Sequence, residues 1–256
     1  MSLDAASGAM LFGGISPRDA AVFLDFDGVL VAPSPTPDGV EVSNAVISLL
    51  AVLESETKGC CAIVTERSVE DLRRHLPLIP HAVIGSQGAE GYLPGAPAFR
   101  HPMIGSETIA RLHDKAARAE DLDGVMVERK LTGVTLHYRG APDRVDEIHA
   151  FAKALVTEFD GFVVLPSKAA VEVRPSGIGK DVAVAGAMAL PAFIGRTPVY
   201  FGDDTTDEPA LAWVAEQGGV AVKVGPGDSL ARHRLADPAD VHATLAEWLE
   251  RGWRGE

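Results

Sequence analysis

The sequence predicts an α/β fold, a doubly wound, Rossmann-like parallel sheet carrying an inserted α+β unit. Three features lead there. Short apolar runs rich in β-branched residues recur without polar alternation, as strands covered on both faces require. Helix-like stretches with start signals lie between several of these runs, which is the alternation of a doubly wound sheet. A middle segment breaks that rhythm and reads as helix, two strands, helix, two strands.

The apolar runs are Ala21-Val22-Phe23-Leu24, Cys60 to Val64, Ala82-Val83-Ile84, Val199-Tyr200-Phe201 and Gly219 to Val224. Ser43 can cap a helix whose apolar positions Val46, Leu49, Leu50 and Leu53 share one face. Ser68 with Asp71 forms a capping pattern ahead of Leu72, and Asp237-Pro238 opens a helix bearing Val241, Leu245, Trp248 and Leu249. In the middle segment, helix is expected from Glu107 to Ala119 and from Asp143 to Phe159. Strands are expected from Val125 to Lys130, Gly133 to Arg139, Phe162 to Leu165 and Ala170 to Arg174. The parallel unit is thus expected at residues 1–95 and 176–256, with the insertion at 96–175. Glycine and proline cluster at Gly91 to Gly95 and Pro175 to Gly179, where the two crossings would lie.

A net charge of −13 argues against a nucleic-acid partner, because phosphate-backbone binding needs clustered Lys and Arg. No apolar run approaches the length that spans a bilayer, so no membrane partner is expected and a cytoplasmic location is the default. A monomer is expected. The two cysteines, Cys60 and Cys61, are adjacent in an apolar run and read as small buried hydrophobes, which fits a reducing compartment.

Asp25-Phe26-Asp27-Gly28 follows an apolar strand directly, and Gly202-Asp203-Asp204-Thr205-Thr206-Asp207-Glu208 follows another. Ligands of open parallel sheets gather at the carboxyl ends of strands, so these acids would meet in the functional crevice. An acidic turn closing a strand, or the start of a helix at Asp207, would account for part of each pattern. Neither accounts for Asp203 and Asp204 at a strand end, where unpaired acids do nothing for folding. Acidic strand ends on neighbouring strands offer the few hard oxygen ligands that magnesium takes. Thr65, ending the Cys60 to Val64 run, and Lys180, within Pro175-Ser176-Gly177-Ile178-Gly179-Lys180, bring a hydroxyl and an ammonium suited to phosphoryl oxygens. Taken singly, each would read as a turn hydroxyl and a surface lysine.

The ordered set Asp25-x-Asp27, Thr65, Lys180 and Gly202-Asp203-Asp204-x-x-Asp207 resembles the four motifs of the haloacid dehalogenase phosphatases. Ile84 to Glu90, Val134 to Arg139 and Glu172-Val173-Arg174-Pro175 are similar to the trehalose-6-phosphate phosphatase family within that superfamily, and so is the Thr-Asp-Glu ending of the Gly202 to Glu208 segment. Three positions depart from the family pattern. Val29 stands where Thr is usual, Glu66 replaces the Gly before Arg67, and Gln87 stands where His is usual.

The resemblance implies a magnesium-dependent hydrolysis of trehalose 6-phosphate. Asp25 would be the nucleophile and Asp27 the acid and base, with Thr65 and Lys180 completing the catalytic set. Mg²⁺ would be held by Asp25, the Asp27 carbonyl and Asp203, with Asp207 or Asp204 joining through water or hydrogen bonds. Phosphoryl oxygens would be bound by Thr65, Arg67 and Lys180. The inserted unit resembles the cap of this family and would bind sugar through Glu128, Lys130, Arg139 and Glu172. Alternatives are a phosphatase for sucrose phosphate, mannosyl-3-phosphoglycerate or a similar sugar phosphate, and a non-catalytic sugar-phosphate-binding protein.

Overall fold

All five residues of the strand Ala20–Leu24 are buried, and their side chains divide between two hydrophobic clusters. Val22 and Leu24 face one cluster, and Ala21 and Phe23 the other. A strand alternates its side chains between faces, so an unbroken apolar run means that both faces are covered. The helices Asn44–Glu56 and Pro238–Trp253 cover the first face with Val46, Leu50, Leu53, Val241, Leu245 and Trp248. Lys180–Met188 and Glu208–Glu216 cover the second with Val184, Ala187, Ala210, Leu211 and Val214. Each such buried Val or Leu side chain contributes roughly 1.5–3 kcal/mol.

The computed structural model describes residues 11–34, 39–76, 82–167 and 169–253. Numbered along the chain, the strands are β1 Ala20–Leu24, β2 Cys61–Val64, β3 Val83–Gly85, β4 Glu90–Tyr92, β5 Phe99–Arg100 and β6 Met126–Lys130. They continue as β7 Gly133–His137, β8 Phe162–Ser167, β9 Ala170–Pro175, β10 Thr197–Gly202, β11 Val220–Val224 and β12 His233–Leu235. The chain divides into two compact units, Met1–Phe99 with Gly179–Glu256, and Arg100–Ile178. The divisions fall a few residues beyond the expected 95 and 175.

The first unit carries a sheet of order β12-β11-β10-β1-β2-β3-β4-β5. Its central strands are parallel, while β4 returns antiparallel to β3. From β1 the chain winds outward through β2 and β3, then crosses back to β10 and winds the other way. β1 and β10 therefore flank the topological switch point, where open α/β sheets place their ligands. Register makes this concrete, because Leu24 pairs with both Phe201 and Ile63. Asp25, Thr65 and Asp203 thus leave the sheet at nearly one level.

Helix starts follow the expected capping chemistry. Ser43 Oγ accepts from the Val46 N–H at 3.3 Å, Ser68 Oγ from Asp71 at 3.0 Å, and Asp237 Oδ1 from Asp240 at 3.0 Å. Both cysteines are buried and free, the Cys60 thiol reaching the Ala192 carbonyl at 3.0 Å. Burial pushes the Cys61 thiol upward, which keeps it inert.

The second unit has the order helix, two strands, helix, two strands, its antiparallel sheet running β6-β7-β9-β8. Val127, Val134, Leu136, Val171 and Val173 pack with Ile109 and Leu112 of the helix Glu107–Ala116, and with Ile148, Ala152 and Leu155 of Val145–Val156. The opposite face carries Glu128, Lys130, Thr135, His137, Glu172 and Arg174, with Val163 and Leu165 at its β8 edge.

Candidate active site

Asp25 is 4% exposed and anchored at both oxygens. Oδ1 accepts from the Phe26 N–H at 2.6 Å, and Oδ2 from Lys180 Nζ at 2.8 Å. Lys180, 2% exposed, opens the helix Lys180–Met188 and also donates to Asp207 Oδ1 at 2.8 Å. Asp207 is fully buried. Its Oδ1 additionally accepts from the Tyr200 hydroxyl at 2.6 Å, and its Oδ2 from the backbone N–H groups of Asp203 and Asp204, each at 3.1 Å. A carboxylate has about four acceptor positions, and these donors fill them. Direct coordination of a metal by Asp207 would require one of them to leave, so Asp207 organises the loop and the lysine.

Oxygens of Asp25, Asp203 and Asp207 lie within 4.8 Å of one another. Asp203 folds against Gly28, where φ is +77° and an added Cβ would stand 2.0 Å from Asp203 Oδ2. Only glycine admits the carboxylate there. Three carboxylates face Lys180, with Lys223 at the Asp203 carbonyl, and burial together with the excess negative charge raises two of them. Burial, then Asp207, push the Asp25 carboxyl well above its usual range despite Lys180. Burial also acts upward on Asp207, but Lys180 and Tyr200 outweigh it and hold that group low. Burial would lower Lys180, yet Asp207, Asp25 and Glu66 raise it, so the ammonium stays charged. Hard oxygen donors with unbalanced negative charge are what a divalent cation requires, and the site fits one.

Asp203, pushed up to about 7 by burial and then by Asp207, gives this fit a test. With its metal-free folded value above the ordinary 3.8, the group's contribution to stability is present below about pH 4 and is lost as pH rises through about 7. A cation must displace that proton. Millimolar magnesium is therefore expected to raise Tm more at about pH 8 than at about pH 6. Equal shifts at the two values would count against the cluster as a cation site.

Thr65, 1% exposed, ends β2, and its Oγ1 accepts from the Arg67 N–H at 3.1 Å. Arg67, expected as a phosphate ligand, is engaged with two carboxylates. Nε and Nη2 fork onto Asp27 at 2.7 and 2.9 Å, and Nη1 reaches Asp71 at 2.8 Å. Such a bidentate pair fixes the plane of the Asp27 carboxylate.

Sequence reasoning missed two contributors. Tyr200 sits in the buried run Pro198 to Gly202 of β10, where a hydroxyl must find a partner, and that requirement was the available signal. Lys223, 3% exposed, donates to the Asp203 carbonyl and to the Val224 carbonyl at 2.8 Å, pinning the acidic loop to the end of β11.

In the second unit, Glu128, Thr135 and Glu172 stand opposite one another across β6, β7 and β9. Lys130 lies two residues on from Glu128, on the same face. Glu128 pairs with His137 at 2.9 Å, and Thr135 Oγ1 is buried without a hydrogen-bond partner. Arg139 lies in the turn after β7. Arg129 points to the other face and pairs with Glu120 at 2.9 Å.

The family profile described as Trehalose-phosphatase matches residues 23–241, which takes in every site element above. The chain belongs to that family. Members of the trehalose-phosphatase family hydrolyse phosphoric monoesters, and this chain is such a hydrolase. Trehalose-6-phosphate phosphatase of Escherichia coli (strain K12) is 33% identical over 239 residues, covering 90% of this chain and 85% of that one. A probable trehalose-phosphate phosphatase of Sinorhizobium fredii is 32% identical, covering 80% and 78%. Among solved structures, a trehalose-6-phosphate phosphatase related protein matches with TM-score 0.69 and 25% identity, covering 92% of this chain and 99% of that one. The Aspergillus fumigatus trehalose-6-phosphate phosphatase shares the fold at TM-score 0.72 and 23% identity, covering 98% of each chain. Among the described residues, no helix is long and apolar enough to cross a membrane.

Proposed function

We propose that this enzyme hydrolyses trehalose 6-phosphate to trehalose and phosphate through an aspartyl-phosphate intermediate, with magnesium as its cation. The observation that carries the mechanism is the Asp25 carboxylate, buried at a strand end, fixed at both oxygens and set in an acid cluster against the Lys180 ammonium. An Asp25 oxygen attacks phosphorus in line while the bond from phosphorus to the sugar oxygen breaks. Asp27 gives a proton to that departing oxygen. In the second step Asp27 takes a proton from water, whose oxygen attacks phosphorus and releases Asp25. Both Asp27 oxygens lie on Arg67 in this state, so proton delivery requires one of them to turn toward the leaving group.

Thr65 and Lys180 bind phosphoryl oxygens, and Arg67 aims Asp27 and adds positive charge on the phosphoryl side. Asp25, the Asp27 carbonyl and Asp203 would hold magnesium, with Asp207 fixing the Asp203 loop through its backbone hydrogen bonds, and the cation would supply the remaining charge neutralisation. Two unit charges about 4 Å apart interact by about 4 kcal/mol at an effective dielectric of 20, so a dianion cannot approach these carboxylates without it. Glu128, Lys130 and Glu172 on one sheet face, with Arg139 in the turn after β7, recognise sugar hydroxyls, for which charged acceptors and donors are suited.

The names of the relatives support trehalose 6-phosphate as the substrate, and a substrate panel tests it. Phosphate release is expected to favour trehalose 6-phosphate over sucrose phosphate and mannosyl-3-phosphoglycerate by roughly tenfold or more in kcat/KM, the discrimination a few hydrogen bonds supply. EDTA is expected to abolish it and magnesium to restore it. Equal turnover of all three substrates would overturn the assignment of the sugar, and turnover in EDTA that of the cation.

A further inference from the structure

Two of the three departures from the family pattern touch each other. Gln87 Nε2 donates to Glu66 Oε1 at 2.9 Å. Gln87 is 3% exposed, whereas Glu66 is exposed. The turn that presents Gln87 is held with some care. Ser86 and Gln87 both take left-handed backbone, at φ 50° and 57°, a conformation that residues with side chains adopt only when their surroundings impose it. The Ser86 N–H donates to the Arg67 carbonyl at 2.8 Å, and the Gln87 N–H to the Thr65 carbonyl at 3.0 Å. Ser86 Oγ donates to Glu90 at 3.1 Å, and Glu90 in turn accepts from the Val69 N–H at 3.0 Å. Gly88 then passes so close to the start of the Lys180 helix that an added Cβ would lie 2.6 Å from the Gly179 carbonyl.

The consequence is a carboxylate at a fixed place. Glu66 lies between Thr65, at the phosphoryl end of the site, and Arg67, which aims the expected acid Asp27. Its charge is felt at Lys180. A carboxylate only accepts hydrogen bonds, and so do the oxygens of a phosphate dianion, which rules out a phosphoryl oxygen as its ligand. What it can take from a phosphate monoester is a hydroxyl of the leaving group. A carboxylate has about four acceptor positions, so the Gln87 amide is compatible with a hydroxyl on the same group.

We infer that Glu66 is a specificity-determining residue that accepts a hydrogen bond from a hydroxyl of the sugar being released, and that Gln87 is the positioning residue that orients it. The inference rests on the phosphatase reading of the site. It deepens that reading by assigning to this chain's own Glu66 and Gln87 a contact with the alcohol rather than with the phosphoryl group. A polar leaving group would thus be sensed from the phosphatase unit itself, beside the nucleophile.

The test compares two substrates on each variant, trehalose 6-phosphate and p-nitrophenyl phosphate, whose leaving group offers no hydroxyl besides the phosphorylated oxygen. In Glu66→Gln the ratio of kcat/KM between them is expected to fall by roughly tenfold, as loss of one charged hydrogen bond implies. Gln87→Leu is expected to lower the ratio in the same direction with Glu66 intact. The pair Glu66→Gly with Gln87→His is expected to cost no more than Glu66→Gly alone, the non-additivity of residues acting together. Urea melts of each variant separate these effects from misfolding at the buried Gln87. A Glu66→Gln enzyme whose two activities change by one common factor would overturn the inference, since a bare charge near Lys180 acts on both substrates alike. Wild-type protein inactive on both substrates would instead sink the phosphatase reading beneath it.

Discussion

Replacing Lys180 with methionine is expected to destabilise the protein by about 3–5 kcal/mol, because it leaves buried carboxylates without their cation. The side chain is 1% exposed, and the side chains of its partners Asp25 and Asp207 are 6% and 0% exposed. Methionine fills nearly the same volume, so the loss would be electrostatic rather than a cavity. Against a total stability of about 5–15 kcal/mol, this is a large fraction. The urea midpoint of the metal-free protein measures it. Since the Asp25 carboxyl is already pushed up by burial, part of the loss should be recovered in mild acid, where that group takes a proton. Phosphate release should fall at the same time by roughly 10³-fold, as the phosphoryl group loses its positive neighbour. A variant with wild-type urea midpoint would show that the lysine does not balance these acids.

Asp25→Asn separates chemistry from folding. Turnover is expected to fall by roughly 10⁴-fold or more, since an amide cannot carry the phosphoryl group. Stability should change by less than about 2 kcal/mol, because two effects oppose each other. Removing one negative charge relieves repulsion with Asp203 and Asp207. The amide, however, offers a single acceptor to the Phe26 N–H and Lys180, which now occupy one carboxylate oxygen each. Phosphate release from trehalose 6-phosphate together with a thermal melt decides the matter. Activity within tenfold of wild type would remove Asp25 as the nucleophile, whatever the melt shows.

Much of this site could be read from the chain because its elements are local. An apolar run followed at once by acids names both a buried strand and the end of it, and β1 with Asp25 and β10 with Asp203 are such cases. Capping by Ser43 and Ser68 spans three residues, within reach of any sequence pattern. By contrast, β12 carries His233 and Arg234 in a strand of three residues and has no apolar signature to announce it. Arg67 was legible as a cation near the site but not as the partner of Asp27, 40 residues away. Glu66 stands in the sequence only as a departure from a pattern, and its hydrogen bond to Gln87, 21 residues away, is set by the fold.

Side-chain periodicity and capping act within a few residues and need no knowledge of neighbours, so the α/β class, the inserted unit and the acids that end each strand are legible in the chain. How charges are shared is settled only by the packed fold. Lys180 spans 155 residues to reach Asp25, and Tyr200 and two backbone N–H groups fill Asp207 so that the cluster's unbalanced charge falls on Asp25 and Asp203. Hydrogen-bond partners and buried charge depend on strand register and on the shape of the space around each group, and no local pattern encodes either.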